Sequence, residues 1–115
     1  MGTGPTNTVT KQLIIQLQQV ARKQKVPLWH RVAEELSRPT RQRREVNVGK
    51  IAEVIQDGEI ALVPGKVLGD GEWTKKGKVA AFKFSAAAAA KIKDRMSIQE
   101  LLLSNPKGKG VRIVG

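Results

Sequence analysis

The chain is 115 residues long and carries 21 lysines and arginines against 10 aspartates and glutamates, a formal charge of +11 at pH 7. So large an excess repels itself in a compact molecule, and a polyanion relieves it; nucleic acid leads, because each neutralised phosphate releases condensed counterions. There is no cysteine, which excludes disulfides, thiolate zinc sites and cysteine nucleophiles and suits a reducing interior.

In chain order, residues 1–8 are rich in Gly, Thr and Pro and are expected to be a flexible segment ahead of one domain over 9–115. Val9, Leu13, Ile14, Leu17, Val20 and Ala21 then recur at helical spacing. Pro27 ends that run and opens a second helix, in which Leu28, Trp29, Val32, Ala33 and Leu36 form a one-sided stripe that Pro39 stops. Next comes Ser37-Arg38-Pro39-Thr40-Arg41-Gln42-Arg43-Arg44-Glu45-Val46-Asn47, with four arginines in seven residues and no aliphatic side chain before Val46. That segment cannot be core, and the planar donor fork of arginine fits phosphate oxygens two at a time. Asn47 is placed to cap a third helix with Val48, Ile51, Ala52 and Ile55 inward, so the arginine loop is expected to be held between two packed helices.

From Glu59 the period changes. Ile60-Ala61-Leu62-Val63 reads as a strand closed by Pro64-Gly65, and Lys78-Val79-Ala80-Ala81-Phe82-Lys83-Phe84 as a second. Ser85 caps an alanine-rich helix reaching about Asp94, and Ser97-Ile98-Gln99-Glu100 is a capping box opening a short helix through Leu103. Asn105-Pro106 terminates it, and Val111-Arg112-Ile113-Val114 reads as a last strand. Three helices followed by strands mixed with helices predict an α/β fold, a small sheet covered by helices.

Hydrophobic content of 40% allows a modest core, but the aromatics are only Trp29, Trp73, Phe82 and Phe84, so aliphatic packing has to hold it. With no tyrosine and aromatics mostly at core-like positions, structured RNA or duplex backbone fits better than a strand stacked base by base. An anionic membrane surface would want a basic amphipathic helix with bulky apolar anchors, and none stands out. The small-apolar run at 86–90 is far too short to cross a bilayer and no apolar secretory core opens the chain, so a soluble intracellular protein is expected.

Three glycines and a lysine fall within Val63-Pro64-Gly65-Lys66-Val67-Leu68-Gly69-Asp70-Gly71, yet a phosphate-binding Walker loop would need glycine where Ile60 stands and serine or threonine where Val67 stands. The segment reads instead as a tight strand connection with Lys66 available to phosphate. His30, the lone histidine, lies beside Trp29 and reads as helix surface. The carboxylates are scattered, Glu34-Glu35 look like solvated helix positions with Glu34 able to pair with Arg31 or Arg38, and Ser85 and Ser97 serve better as caps than as nucleophiles. No constellation recommends an enzyme, a metal or a cofactor. The remaining basic clusters are Arg22-Lys23-Gln24-Lys25, for which interaction with the end of the first helix is a sufficient reading, Lys75-Lys76-Gly77-Lys78, Lys91 with Lys93, and Lys107-Gly108-Lys109.

Trp29 followed by Val32-Ala33-Glu34, then Leu36-Ser37-Arg38-Pro39-Thr40-Arg41, Val46-Asn47-Val48-Gly49-Lys50-Ile51, Val63-Pro64-Gly65-Lys66-Val67-Leu68-Gly69 and Asn105-Pro106-Lys107-Gly108 closely resemble the archaeal and eukaryotic large-subunit ribosomal protein family eighteen-e, in its short archaeal form. The resemblance implies a structural component of the large subunit, cytoplasmic, bound to large-subunit ribosomal RNA and neighbouring ribosomal proteins in single copy, with no catalytic activity, cofactor, small-molecule substrate or membrane. It also implies a fold akin to the C-terminal domain of bacterial large-subunit protein fifteen. By matching block, Arg38, Arg41, Lys50, Lys66 and Lys107 are expected to face RNA; Arg43, Arg44, Lys75, Lys76 and Lys109 join them on charge and context alone. The rival reading is a free-standing basic nucleic-acid-binding protein.

Overall fold

The computed structural model describes residues 8–38 and 44–114. The expectation of a flexible segment over residues 1–8 falls outside the described residues except at Thr8, which opens the first helix, and the expectations resting on Pro39, Thr40, Arg41, Gln42 and Arg43 also fall outside them.

Helix α1 (Thr8–Gln24) forms because its apolar residues recur every three or four positions, which places Leu13, Ile14, Leu17 and Ala21 on one buried face. It ends in a Schellman turn: the N–H of Val26 donates to the carbonyl of Ala21 at 3.1 Å while Lys25 takes a left-handed φ of 57°. Pro27 then opens α2 (Pro27–Leu36), where its missing N–H leaves nothing unsatisfied. Trp29, Val32, Ala33 and Leu36 of α2 are buried. Ser37 closes the helix, its hydroxyl donating to the Ala33 carbonyl at 2.8 Å.

After the arginine segment come β1 (Arg44–Asn47), α3 (Val48–Val54), β2 (Ile60–Leu68), β3 (Lys78–Phe84), α4 (Ala86–Lys91), β4 (Arg95–Ser97), α5 (Ile98–Ser104) and β5 (Val111–Ile113). The sheet runs β1-β2-β3-β4, with β5 also on β2, and each of these pairings is parallel. Side-chain alternation along β2 and β3 splits the core in two. Leu62 and Ala80 meet α1, α2 and α5 on one face; Ala61, Val63, Val79 and Ala81 meet α3 and α4 on the other, with Ile51, Ile55, Ala88 and Ile92. A parallel sheet needs both faces covered, and this one has them covered mainly by aliphatic side chains, with Trp29 the one fully buried aromatic among the described residues.

The α/β class and the helices-first order are as the sequence predicts; several boundaries differ for physical reasons. Pro64-Gly65 does not close the strand, because β2 continues to Leu68. Its one edge is shared, with Ile60 to Leu62 pairing β5 and Gly65 to Leu68 pairing β1, and on the other edge the register against β3 slips between Val63 and Lys66. A residue with no N–H is tolerated at such a slip, where the ladder is already broken. The strand β1 lies inside the stretch read as loop, and β4 precedes the Ser97 cap. Asn47 makes no side-chain cap for α3; its Oδ1 accepts the N–H of Asp70 at 3.2 Å. Helix α4 stops at Lys91, short of Asp94: Ile92 turns extended and is fully buried, while the guanidinium of Arg95 donates to the Ala89 and Ile92 carbonyls at its end. The capping box at Ser97 is present in both directions, with Ser97 Oγ accepting from Glu100 N–H at 3.0 Å and Glu100 Oε1 from Ser97 N–H at 3.2 Å.

Candidate nucleic-acid interface

Helix α2 and strand β1 flank the arginine segment and present Arg38 and Arg44 to one acid. Glu35 is buried, contrary to its reading as a solvated position, and its Oε1 accepts from Nε of Arg44 at 2.8 Å while Oε2 lies 3.2 Å from Nε of Arg38. Glu34, the acid expected to pair, is exposed. The signal was present in the spacing: Glu35 sits three residues after Val32 and next to Leu36, on the edge of the buried stripe, and three before Arg38. These groups line a shallow cleft of about 520 Å³ with His30 and Arg31, where His30 is the surface residue expected. Arg41 and Arg43 lie outside the described residues.

Lys50 is exposed on α3. Lys66 is also exposed, but as a strand residue and not on a turn; its lateral neighbours are Glu45 on β1 and Lys83 on β3. Paired positions of a parallel sheet share a face, so Lys66 stands in a row of one acid and two cations.

The segment 69–77 connects β2 to β3 without a helix and is fastened along its length. Gly49 N–H donates to the Asp70 carbonyl at 2.9 Å, and Lys91 Nζ donates to the carbonyls of Gly69 at 2.5 Å and Gly71 at 2.8 Å. At the other end the Lys76 N–H donates to Asp57 Oδ1 at 2.8 Å and the Gly58 N–H to the Lys76 carbonyl at 2.8 Å. Gly49 and Gly71 touch so closely that a Cβ on Gly71 would stand 2.5 Å from the Gly49 Cα. In the middle, Trp73 packs on the second core in place of a crossover helix. Lys75, Lys76, Lys78, Lys91 and Lys93 surround the open cleft of about 710 Å³ beside it, with Asp94 as its acid. Lys91 was expected only as one of a basic pair; its role as a brace depends on carbonyls about twenty residues back in sequence.

The turn after α5 is pinned to α2. Trp29 Nε1 donates to the Pro106 carbonyl at 2.6 Å, and Asn105 grips Lys109 through Nδ2 to its carbonyl (2.8 Å) and Oδ1 from its N–H (3.2 Å). Gly108 lies against Leu28 with a φ of 68°, where a Cβ would meet Leu28 Cδ2 at 2.7 Å. Lys107 and Lys109 are thus displayed, exposed, from an ordered turn. The neighbouring Arg112 differs: its Nε and Nη2 bind the Glu59 carboxylate at 3.1–3.2 Å. That hydrogen bond, then the Gln56 N–H, holds Glu59 below its ordinary pKa of 4.5, with Lys75 adding a smaller pull.

Among the described residues, the expected ones are therefore not gathered into one pocket. They fall into the Glu35 cleft, the Lys50 and Lys66 surfaces, the cleft beside Trp73 and the turn below Trp29. Among the described residues, Lys50, Lys66, Lys76, Lys107 and Lys109 make no ion pair, whereas Arg38, Arg44 and Arg112 do. Also among the described residues, no group of three or more His, Cys, Asp or Glu is placed to hold a metal, and no helix is long and apolar enough to cross a membrane.

These features define a basic α/β protein whose sheet is packed on both faces and whose surplus cations stand outside the packing. Residues 28–95 match the family model that describes the ribosomal proteins 50S-L15 and 50S-L18e together with a 60S counterpart, and the chain belongs to that family. It is 49% identical over 121 residues to the large ribosomal subunit protein eL18 of Methanopyrus kandleri, covering 97% of this chain and 95% of that protein. The protein of the same name from Archaeoglobus fulgidus is 50% identical over 96 residues, 80% of this chain and 82% of its own. That of Pyrobaculum aerophilum is 43% identical over 116 residues, 97% and 95%.

Proposed function

We propose that this protein is a structural constituent of the large ribosomal subunit, present in single copy, which binds and cross-braces large-subunit ribosomal RNA beside neighbouring ribosomal proteins. The observation that carries the reading is a set of exposed lysines on a fold whose two cores are already closed: Lys50, Lys66, Lys76, Lys107 and Lys109 make no ion pair among the described residues, which leaves their charge available to phosphate. Arg38 and Arg44 flank Arg41 and Arg43 and share one carboxylate between them, so two guanidiniums retain a net positive charge toward RNA. The names carried by the relatives support the same reading.

The mechanism is electrostatic and shape-based. Phosphate contacts set position and register, and the displaced counterions supply the free energy. Ordered turns reduce what is lost on binding, since the 69–77 segment and the 105–110 turn are held by their own hydrogen bonds before any partner arrives. The chain acts as one RNA-binding unit, with no reaction and no cofactor of its own. Fractionation of a cell extract on a density gradient tests this: the protein is expected with the large subunit at low salt, and recovery on DNA or free of particles would overturn it.

A further inference from the structure

We propose that the cleft between segment 69–77 and the end of α4 seats one unpaired nucleotide of folded RNA, its base against Trp73 and its flanking phosphates on Lys75, Lys78 and Lys93. The proposal rests on the RNA reading above and adds what occupies this one site.

Three observations carry it. First, the cleft is open, about 710 Å³, and five of its lining side chains are lysines against the single carboxylate of Asp94, so a phosphodiester enters a strongly positive site. Second, the cleft has an aromatic wall. Trp73 is half-buried: part of it packs on the second core, and part faces the cleft. Its indole N–H has no acceptor among the described residues, whereas that of Trp29 is satisfied by Pro106. An aromatic surface flanked by cations is what an extruded base and its backbone require, and sequence-specific contacts to RNA go mainly to such unpaired bases. Third, the wall is fixed in advance. Lys91 donates to the Gly69 and Gly71 carbonyls, and Asp57 accepts from Lys76 N–H, so the backbone on both sides of Trp73 is fastened, and one part of the indole is packed on the second core, before the ligand arrives. Lys91 is therefore a brace, and Lys75, Lys78 and Lys93 are left for phosphate.

The test footprints the full chain on deproteinised large-subunit RNA, reading base reactivity toward dimethyl sulfate and backbone cleavage by hydroxyl radicals. At least one unpaired adenine or cytosine is expected to be protected by the wild type and by Trp73→Phe and to regain reactivity with Trp73→Leu. Backbone protection elsewhere stays unchanged. The affinity of Trp73→Leu is expected to fall about five- to a hundredfold with the same salt slope. Lys75→Gln with Lys93→Gln, both at the rim, is expected to lower the slope by roughly one to two and to expose the same base. This pair carries the test if Trp73→Leu fails to fold. No base whose protection depends on Trp73 or on the lysine pair would overturn the nucleotide seat while backbone protection leaves the RNA reading standing; loss of all backbone protection by the wild type would remove both. Saturable micromolar binding of AMP or GMP without RNA, measured by dialysis, would make the cleft a free-nucleotide pocket and also overturn the assignment.

Discussion

Glu35 Oε1 and Arg44 Nε stand 2.8 Å apart, which joins α2 to β1 across the arginine segment through a carboxylate that is only 10% exposed. Arg38 meets the other oxygen of the same group. Removing one partner of a fully buried pair costs about 3–5 kcal/mol, but the two arginines here are 52% and 39% exposed and regain water. Glu35→Gln is therefore expected to destabilise by only about 1–2 kcal/mol in a denaturant melt. It is also expected to weaken RNA binding, because the ends of the segment lose their common anchor. The geometry restricts charge reversal as a probe: Arg44→Glu would set two carboxylates together and disturb the fold, so reversal belongs at Arg41 and Arg43.

Gly65→Ala tests the β1 attachment. A Cβ at this position would stand 2.0 Å from the carbonyl oxygen of Arg44, a backbone atom that cannot yield without breaking the β1–β2 pairing. The loss is expected to reach about 3 kcal/mol or more, in the range of severe overpacking. Amide exchange should show Val46 and Val67 losing protection first; unchanged protection there would disprove this view of Gly65.

Trp29→Phe keeps an aromatic ring in the first core and deletes one hydrogen bond to the Pro106 carbonyl. An acceptor left unpaired in a partly buried site costs about 1–3 kcal/mol, so the thermal midpoint should drop by several degrees. The 105–110 turn is expected to loosen with it. Proteolysis at Lys107 or Lys109, accelerated relative to wild type, is the direct reading.

The pH dependence has a definite sign at Glu59. Its pKa is held below 4.5 in the folded chain by Arg112, so the pair adds stability above the ordinary glutamate range and loses it as pH falls through the depressed value. Arg112→Gln is expected to return the Glu59 titration, followed by carboxyl chemical shifts, toward 4.5. The accompanying change in stability is expected to appear only above that range and to be small, as for other surface pairs.

How much of this was legible in the sequence follows from range. The periods of α1 and α2, the Pro27 start, the strand at Lys78–Phe84 and the Ser97 capping box rest on neighbours within four residues, and each is present as read. What was hidden depends on partners far along the chain. The strands β1 and β4 have four and three residues and no period of their own; β2 and β3 define them by pairing. Pro64-Gly65 reads as punctuation until β2 is seen to change partners on that edge. Glu35 is the exception, a buried acid whose place three residues after Val32 and beside Leu36, on the edge of the α2 stripe, is readable from spacing alone. The basic residues were all visible as charges, but spacing does not say which ones the protein keeps for itself. Arg44 and Arg112 hold acids, Lys91 and Arg95 hold carbonyls, and Lys50, Lys66 and Lys107 hold neither among the described residues.

That division supplies the most direct measurement. Lys50, Lys66 and Lys107 are replaced together by glutamine, and binding of the full chain to deproteinised large-subunit RNA is titrated against salt. The logarithmic slope is expected to fall by about two to three, at roughly 0.7–0.9 per lost phosphate contact, with the thermal midpoint unmoved. An unchanged slope and affinity in a folded triple variant would contradict the assignment of these lysines to RNA.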